Sequence, residues 1–214
     1  MKLNTKKTNY MLFNFTRKYQ FNTRLSLENQ NLDQVHETKL LGLVIRDDLS
    51  WRSNTSALTR KAYSRMIIIK KLVKFHVPLE DLLHIYSLYI RSVTEQSAVV
   101  WHSSITKGEQ KDIERIQKVA LRLILGSNYT SYVEALRFTG LDTLATRRKK
   151  LCLKFAIKCV QNESTSWMFP QKTQQVDTRY PEKFIVTNAK TDRLSKSAIP
   201  YMQKLLNTYW RKIV

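Results

Sequence analysis

The chain has 214 residues, 43% of them hydrophobic, which is long enough and apolar enough for a packed core and excludes wholesale disorder. It carries 37 Lys and Arg against 17 Asp and Glu, a net charge of +20, which points to a polyanionic partner such as nucleic acid, with an acidic membrane surface as the other candidate. Lys70, Lys71 and Lys74 interrupt the longest apolar stretches before they reach the roughly 18 to 20 residues of a bilayer span, so no membrane-embedded helix is expected and the chain should be soluble.

The opening MKLNTKKTNYMLFNF begins basic, but its apolar part is short, is broken by Asn14 and leads to no small-residue cleavage site. An intracellular location is therefore expected. Residues 1–47 read as strands, NYMLFNF, QFNTRLSLEN and KLLGLVI, separated by Asn, Asp and Thr clusters, and predict a small antiparallel sheet. From Trp51 the period changes. Leu58, Ala62, Met66, Ile69 and Val73 recur at helical spacing and predict a helix from about Ser50 to Lys74.

HVPLEDLLHIYSLYIRSVTEQSAVVW predicts a second, largely buried helix, with Pro78 where a helix start tolerates it and Glu80 and Asp81 in the positive first turn. TKGEQKDIERIQKVALRLILGS predicts a third, with Ile113, Ile116, Val119, Ala120, Leu123 and Ile124 on one face and Gly126 as its stop. Three antiparallel helices of this kind can form a bundle. YTSYVEALRFTGL adds a short helix ending near Gly140, and LDTLATRRKKLCLKFAIKCVQN a long basic one. Residues 163–193 hold Pro170, Pro181 and many Thr, Gln, Ser and Asn, which suggests an extended connection with little core of its own. SAIPYMQKLLNTYWRKI predicts a last helix. The expected organisation is a strand region at 1–47, a helical bundle at 48–126, a basic helical extension at 127–162, a linker at 163–193 and a C-terminal helix at 194–214: an α+β protein that is mainly α-helical.

Asp47 and Asp48 end an apolar run, as metal-binding carboxylates of phosphoryl-transfer enzymes do, but Leu49-Ser50-Trp51 and a helix follow. Acidic and Ser residues there are ordinary helix-start chemistry, and Asp33 and Glu37 lie in a turn, so the pair is read as structural. Cys152 and Cys159 are seven apart in a helical stretch, roughly 10 Å at about 1.5 Å per residue, too far for a disulfide. His36, His76, His84 and His102 do not cluster as zinc ligands, so no metal site is expected and both cysteines are read as small core residues.

The cluster Arg147 to Lys150 reads as a phosphate-binding patch or a nuclear-localisation-like signal, which allows a nuclear address. On a helix Arg147, Lys150, Lys154 and Lys158 share one stripe, while Leu144, Leu151, Phe155 and Cys159 share another, and no acid follows on the stripe until Glu163. The stripe is read as contacting phosphates. Its plainer reading is a solvated face. Arg148 falls on the apolar side, where snorkelling or a buried ion pair is expected. Arg60, Lys70, Lys71 and Lys74 form a second basic ridge, and two ridges suit a groove along a nucleic-acid backbone. Tyr86, Tyr89, Trp101, Tyr129 and Tyr132 are read as packing aromatics rather than base-stacking ones.

Taken together, LNTKKTNYMLFN, KLLGLVIRDDLSW, VVWHSS, IERIQKVALRLILG, YVEALRFTGLDTLATRRKKL and KTDRLSKSAIPYMQKLLN resemble the C-terminal part of the reverse transcriptase of non-LTR, jockey-like retrotransposons, over nearly the whole chain. The KLLGLVIRDDLSW segment resembles that family's Leu-Gly-Val-x-x-Asp-x-x-Leu-x-Trp stretch, which enters the thumb and whose Asp is structural. The resemblance implies primer-grip strands followed by a helical thumb, with the catalytic aspartates and the nucleotide site upstream of the region matched. It implies no catalytic residue and no cofactor in this chain, the Mg²⁺ of a complete polymerase being held elsewhere. The expected activity is non-catalytic binding of RNA, RNA–DNA hybrid or DNA through phosphates. A part of a longer RNA-directed DNA polymerase and a basic protein-interaction module are the alternatives.

Overall fold

The expected strand KLLGLVI is folded back on itself. Leu41 and Gly42 take φ of +48° and +86° and form the two-residue turn of a hairpin that pairs Glu37–Leu40 with Leu43–Arg46. The computed structural model describes Asn4 and residues 8–15, 24–172 and 183–211, and shows an α+β, mainly helical protein. It divides into two compact units, Met1–Ala57 and Leu58–Val214.

In the first unit the strands are β1 (Asn9–Tyr10), β2 (Ser26–Leu27), β3 (Gln30–Asn31), β4 (Asp33–Gln34), β5 (Glu37–Leu40) and β6 (Leu43–Arg46). The expected single antiparallel sheet is corrected to three two-stranded pairs. β2–β3 and β5–β6 are antiparallel, and β1–β4 is parallel, with Asn9 opposite Asp33 and Tyr10 opposite Gln34. The physical reason is turn chemistry: Glu28-Asn29, like Leu41-Gly42, puts two consecutive residues at positive φ, which closes a tight hairpin and ends each strand early. Residues 20–23 of the expected second strand lie outside the described residues.

Asp47 and Asp48 act locally here. Asp47 Oδ2 is 2.6 Å from His36 Nδ1. Asp48 Oδ1 accepts from the Ser50 N–H at 2.9 Å and from Arg46 Nε at 3.2 Å, which holds its carboxyl below the usual range. Asp48 thus closes a turn ahead of α1 (Arg52–Lys74) instead of capping the helix itself.

In the second unit α1 buries Leu58, Ala62, Met66 and Ile69, as its period predicts. The expected continuous helix to Trp101 is corrected to four pieces: α2 (Leu79–Ile85), a π-helical segment (Tyr86–Arg91), α3 (Ser92–Glu95) and α4 (Ala98–Trp101). The break falls at Ser97, which adopts a left-handed conformation (φ +51°, ψ +27°). The Gln96 carbonyl accepts a 3.0 Å hydrogen bond from Trp101 Nε1, so an indole compensates for the interrupted backbone ladder.

α5 (Lys107–Leu125) starts in a capping box between Thr106 and Glu109 and stops at Gly126, φ +54°. α6 (Tyr132–Thr139) stops at Gly140, φ +66°. α7 (Leu144–Gln161), α8 (Glu163–Ser166), α9 (Asp192–Ser195) and α10 (Ala198–Trp210) follow. α7 is the hub of this unit, packing against α3, α4, α5, α8 and α10.

The expected linker at 163–193 is also corrected. Phe169 and Phe184 are buried with Cys152, Ala156 and Cys159 of α7 and Met202, Leu205 and Leu206 of α10. Asn207 both donates to the Phe184 carbonyl and accepts from its N–H, at 2.9 Å each, and Gln203 Nε2 donates to the Met168 carbonyl at 2.9 Å. Two aromatic anchors and two helix amides therefore tie the ends of this segment into the core. Its residues 173–182, and residues 212–213 of the expected last helix, lie outside the described residues. Both cysteines are free and buried.

Candidate nucleic-acid interface

The N-terminus of α7 is fixed from α5. Thr143 Oγ1 accepts from the Thr146 N–H at 3.1 Å, and the Glu114 carboxylate accepts from the N–H groups of Leu144 (3.0 Å) and Ala145 (3.2 Å). An anion in that position satisfies free donors and complements the helix dipole. Tyr132 Oη also donates to Glu114. Gln117 Nε2 donates to Tyr132 Oη and to the Asp142 carbonyl, while Tyr86 Oη donates to Gln117 Oε1 at 2.7 Å. Burial and the Glu114 carboxylate push the Tyr132 hydroxyl far above its ordinary pKa, so it remains a donor.

The buried face of α7 is Leu144, Arg148, Cys152, Ala156 and Cys159, which corrects the expected Leu144/Leu151/Phe155/Cys159 stripe. Phe155 is 41% exposed. The rotation follows from side-chain size, since Cys and Ala allow α4 and α10 to approach closely.

The four residues expected on the basic stripe have unequal surroundings. Arg147 is half-buried and donates to Glu95 from Nε (2.6 Å) and Nη2 (3.1 Å), and this contact raises its pKa further. Lys150 Nζ is 2.6 Å from Asp142 Oδ2. The sequence expectation of an uncompensated stripe is thus corrected at both positions: Glu95 approaches Arg147 from 52 residues away, and Asp142, eight residues before Lys150, approaches from the loop ahead of α7. Lys154 and Lys158 are exposed and form no ion pair among the described residues; Lys149 is exposed as well. Lys154 and Lys158 line a cleft of about 280 Å³ with Leu151, Phe155, Glu95, Ser97, Ala98 and Val99.

Arg60, Lys70, Lys71 and Lys74 are all exposed on α1. That helix has seven cations and no acid, and α7 has six and no acid. No α1 residue is among those that line the α7 cleft. Arg65 packs on α2's continuation, its guanidinium 4.3 Å from the Tyr89 ring centroid. Tyr86 and Trp101 are fully buried, in keeping with their reading as packing aromatics.

Arg148 does not snorkel. Its guanidinium is fully buried, 5.6 Å from the Trp101 ring, with Nε 3.4 Å from His102 Nδ1 and with Nη1 and Nη2 unpartnered among the described residues. Burial lowers its pKa. Sequence reasoning placed Phe155 on the apolar face and missed its exposure next to Lys154 and Lys158; its position one residue after Lys154 and three before Lys158 was the available signal.

Among the described residues no group of three or more His, Cys, Asp or Glu is arranged to hold a metal ion, and no helix is long and apolar enough to cross a membrane. The chain was compared with protein-family models, curated proteins and solved structures. None matches.

Proposed function

We propose that this chain binds RNA or RNA–DNA hybrid through backbone phosphates with little base selectivity, as the non-catalytic, thumb-like part of a non-LTR retrotransposon reverse transcriptase. The observation carrying this reading is the acid-free helix α7, whose exposed Lys154 and Lys158 line an open cleft and whose Lys149 is exposed elsewhere on the same helix. Unpaired cations on one rigid helix retain their full charge for phosphates, whereas Arg147 and Lys150 already have carboxylate partners. The motif resemblance supports the polymerase context, in which Mg²⁺ and catalytic carboxylates belong to a longer chain.

The test is binding of the purified chain to RNA–DNA hybrid, single-stranded RNA and duplex DNA across a salt series. Affinity should fall linearly with salt on logarithmic axes. Lys154→Ala with Lys158→Ala should make that slope shallower by about 1.4 to 1.8. Salt-sensitive binding to an acidic protein, with none to any nucleic acid, would replace this reading with a protein-interaction module. Primer extension by the chain alone would overturn its non-catalytic character.

A further inference from the structure

The helix break at Ser97 faces α7 across the cleft that Lys154 and Lys158 line. Leu151 and Phe155 form its α7 wall, and Val99 and Ser97 lie opposite. Two features of the cleft are in tension unless it has an occupant. Its walls are largely apolar and include a phenyl ring with 41% of its surface exposed, yet two cations without ion-pair partners among the described residues lie on the same wall. Glu95, the acid that lines the cleft, is held by Arg147 and lies 3.6 Å from Arg91, so its charge is compensated from behind.

We propose that this cleft takes one unpaired nucleotide of a single-stranded segment, its base against Phe155 and its flanking phosphates on Lys154 and Lys158. The inference rests on the phosphate-binding reading above and deepens it. The volume, about 280 Å³, is just below the usual range of ligand pockets, which suits one flat ring system and excludes a duplex. Lys154 and Lys158 are one helical turn apart, about 6 Å along the axis, an interval comparable with that between consecutive phosphates of an extended strand. A nucleotide joins the two chemistries the cleft offers, a flat apolar face and an anionic edge. In a duplex both faces of each base are already stacked, so only an unpaired base presents one. Stacking on an aromatic ring is tolerant of base identity, because every base has a π-face. An acidic peptide would satisfy the lysines without using the ring.

The experiment compares wild type with Phe155→Ala, Phe155→Leu and Phe155→Trp on a single-stranded RNA oligonucleotide carrying 2-aminopurine and on an RNA–DNA hybrid, with circular dichroism of each protein. Phe155→Ala and Phe155→Leu should weaken single-strand binding roughly 5- to 100-fold, with the salt slope unchanged, because stacking and not charge is lost. Hybrid affinity should stay within about twofold, since a hybrid offers no free base face. Phe155→Trp should restore single-strand affinity, and 2-aminopurine emission should be quenched by wild type and not by Phe155→Leu.

Unchanged single-strand affinity in both Phe155→Ala and Phe155→Leu, with wild type still binding in a salt-dependent manner, overturns this inference and leaves the phosphate reading standing. Equal losses on RNA and hybrid also overturn it, by assigning Phe155 to packing. Displacement of the RNA oligonucleotide by poly-glutamate at matched charge would transfer the cleft to an acidic peptide. Absence of wild-type binding to any nucleic acid removes both proposals. The 2-aminopurine signal on unaltered protein decides the matter if a substitution disturbs the fold.

Discussion

Arg147 grips Glu95 with two hydrogen bonds, at 2.6 and 3.1 Å, across 52 positions of sequence. The pair joins α7 to the end of α3, immediately before the Ser97 break, and so fixes one side of the cleft. Arg147→Ala is expected to cost about 1.5 to 3 kcal/mol in urea unfolding, because a charge-assisted pair is lost and a carboxylate that is only 14% exposed is left with the more distant Arg91. Glu95→Gln should cost a similar amount, and the double variant less than the sum of the two. Strict additivity would show that the contact contributes nothing as a pair.

Arg148 supports the opposite expectation for a neighbouring cation. A fully buried guanidinium, two of whose nitrogens have no partner among the described residues, is held in place against its desolvation cost. Arg148→Met keeps an unbranched stem of similar reach and removes that charge. The variant should be more stable by about 1 to 3 kcal/mol, read as a rise in the thermal midpoint. Marked destabilisation would mean that the guanidinium is essential to how Trp101 and His102 pack.

His102 should give the fold an acid-sensitive component. Burial, with the charges of Arg148 and Lys149 beside it, lowers its pKa from 6.5 to about 4. The unfolded chain takes up this proton near the ordinary value, whereas the folded chain takes it up only near 4. The stability it contributes is therefore intact above pH 6.5 and is lost progressively as pH falls toward 4, by up to about 3 kcal/mol. His102→Gln retains an acceptor for Arg148 Nε and cannot titrate. The difference between wild-type and variant stability should change across that window and be flat above it; parallel curves from pH 4 to 7 would exclude the effect.

Leu41 sits at the β5–β6 turn with φ +48° and 92% of its surface exposed. A two-residue turn of this kind prefers Asn-Gly, since Asn tolerates the left-handed region and a β-turn tip gains nothing from an apolar side chain. Leu41→Asn should stabilise the hairpin by about 0.5 to 1 kcal/mol and improve solubility at high protein concentration. A stability loss would show that the leucine has a contact partner.

Legibility of this molecule from its sequence follows the range of each signal. The periodic face of α1, the stops at Gly126 and Gly140 and the mainly helical α+β class were readable, because they depend on residues within a few turns of each other. The expected α5 face was read only in part, since Val119 and Leu123 are half-buried while Gln117, Leu121 and Leu125 are buried. The Ser97 break was not, since Ser carries no Gly or Pro signal and its left-handed turn is stabilised by Trp101 and the packing around it. The buried face of α7 was misread because Cys152, Ala156 and Arg148 weigh less on a hydropathy pattern than Leu151 and Phe155, although small side chains let neighbouring helices close in. The partner of Arg147 was hidden for a different reason: Glu95 reaches it through the fold, whereas Asp142, the partner of Lys150, lies only eight residues upstream but off the helix whose stripe was read. Net charge was fully legible. Which cations remain free was a property of tertiary structure.

The two acid-free helices have a consequence for the protein when it is alone. With no carboxylate on α1 or α7, and a net charge of +20 overall, the folded chain repels itself, and dissolved anions relieve that repulsion within a screening distance of about 10 Å at 0.1 M salt. Salt thus steadies this fold, its anions supplying the counter-charge that α1 and α7 lack along their own length.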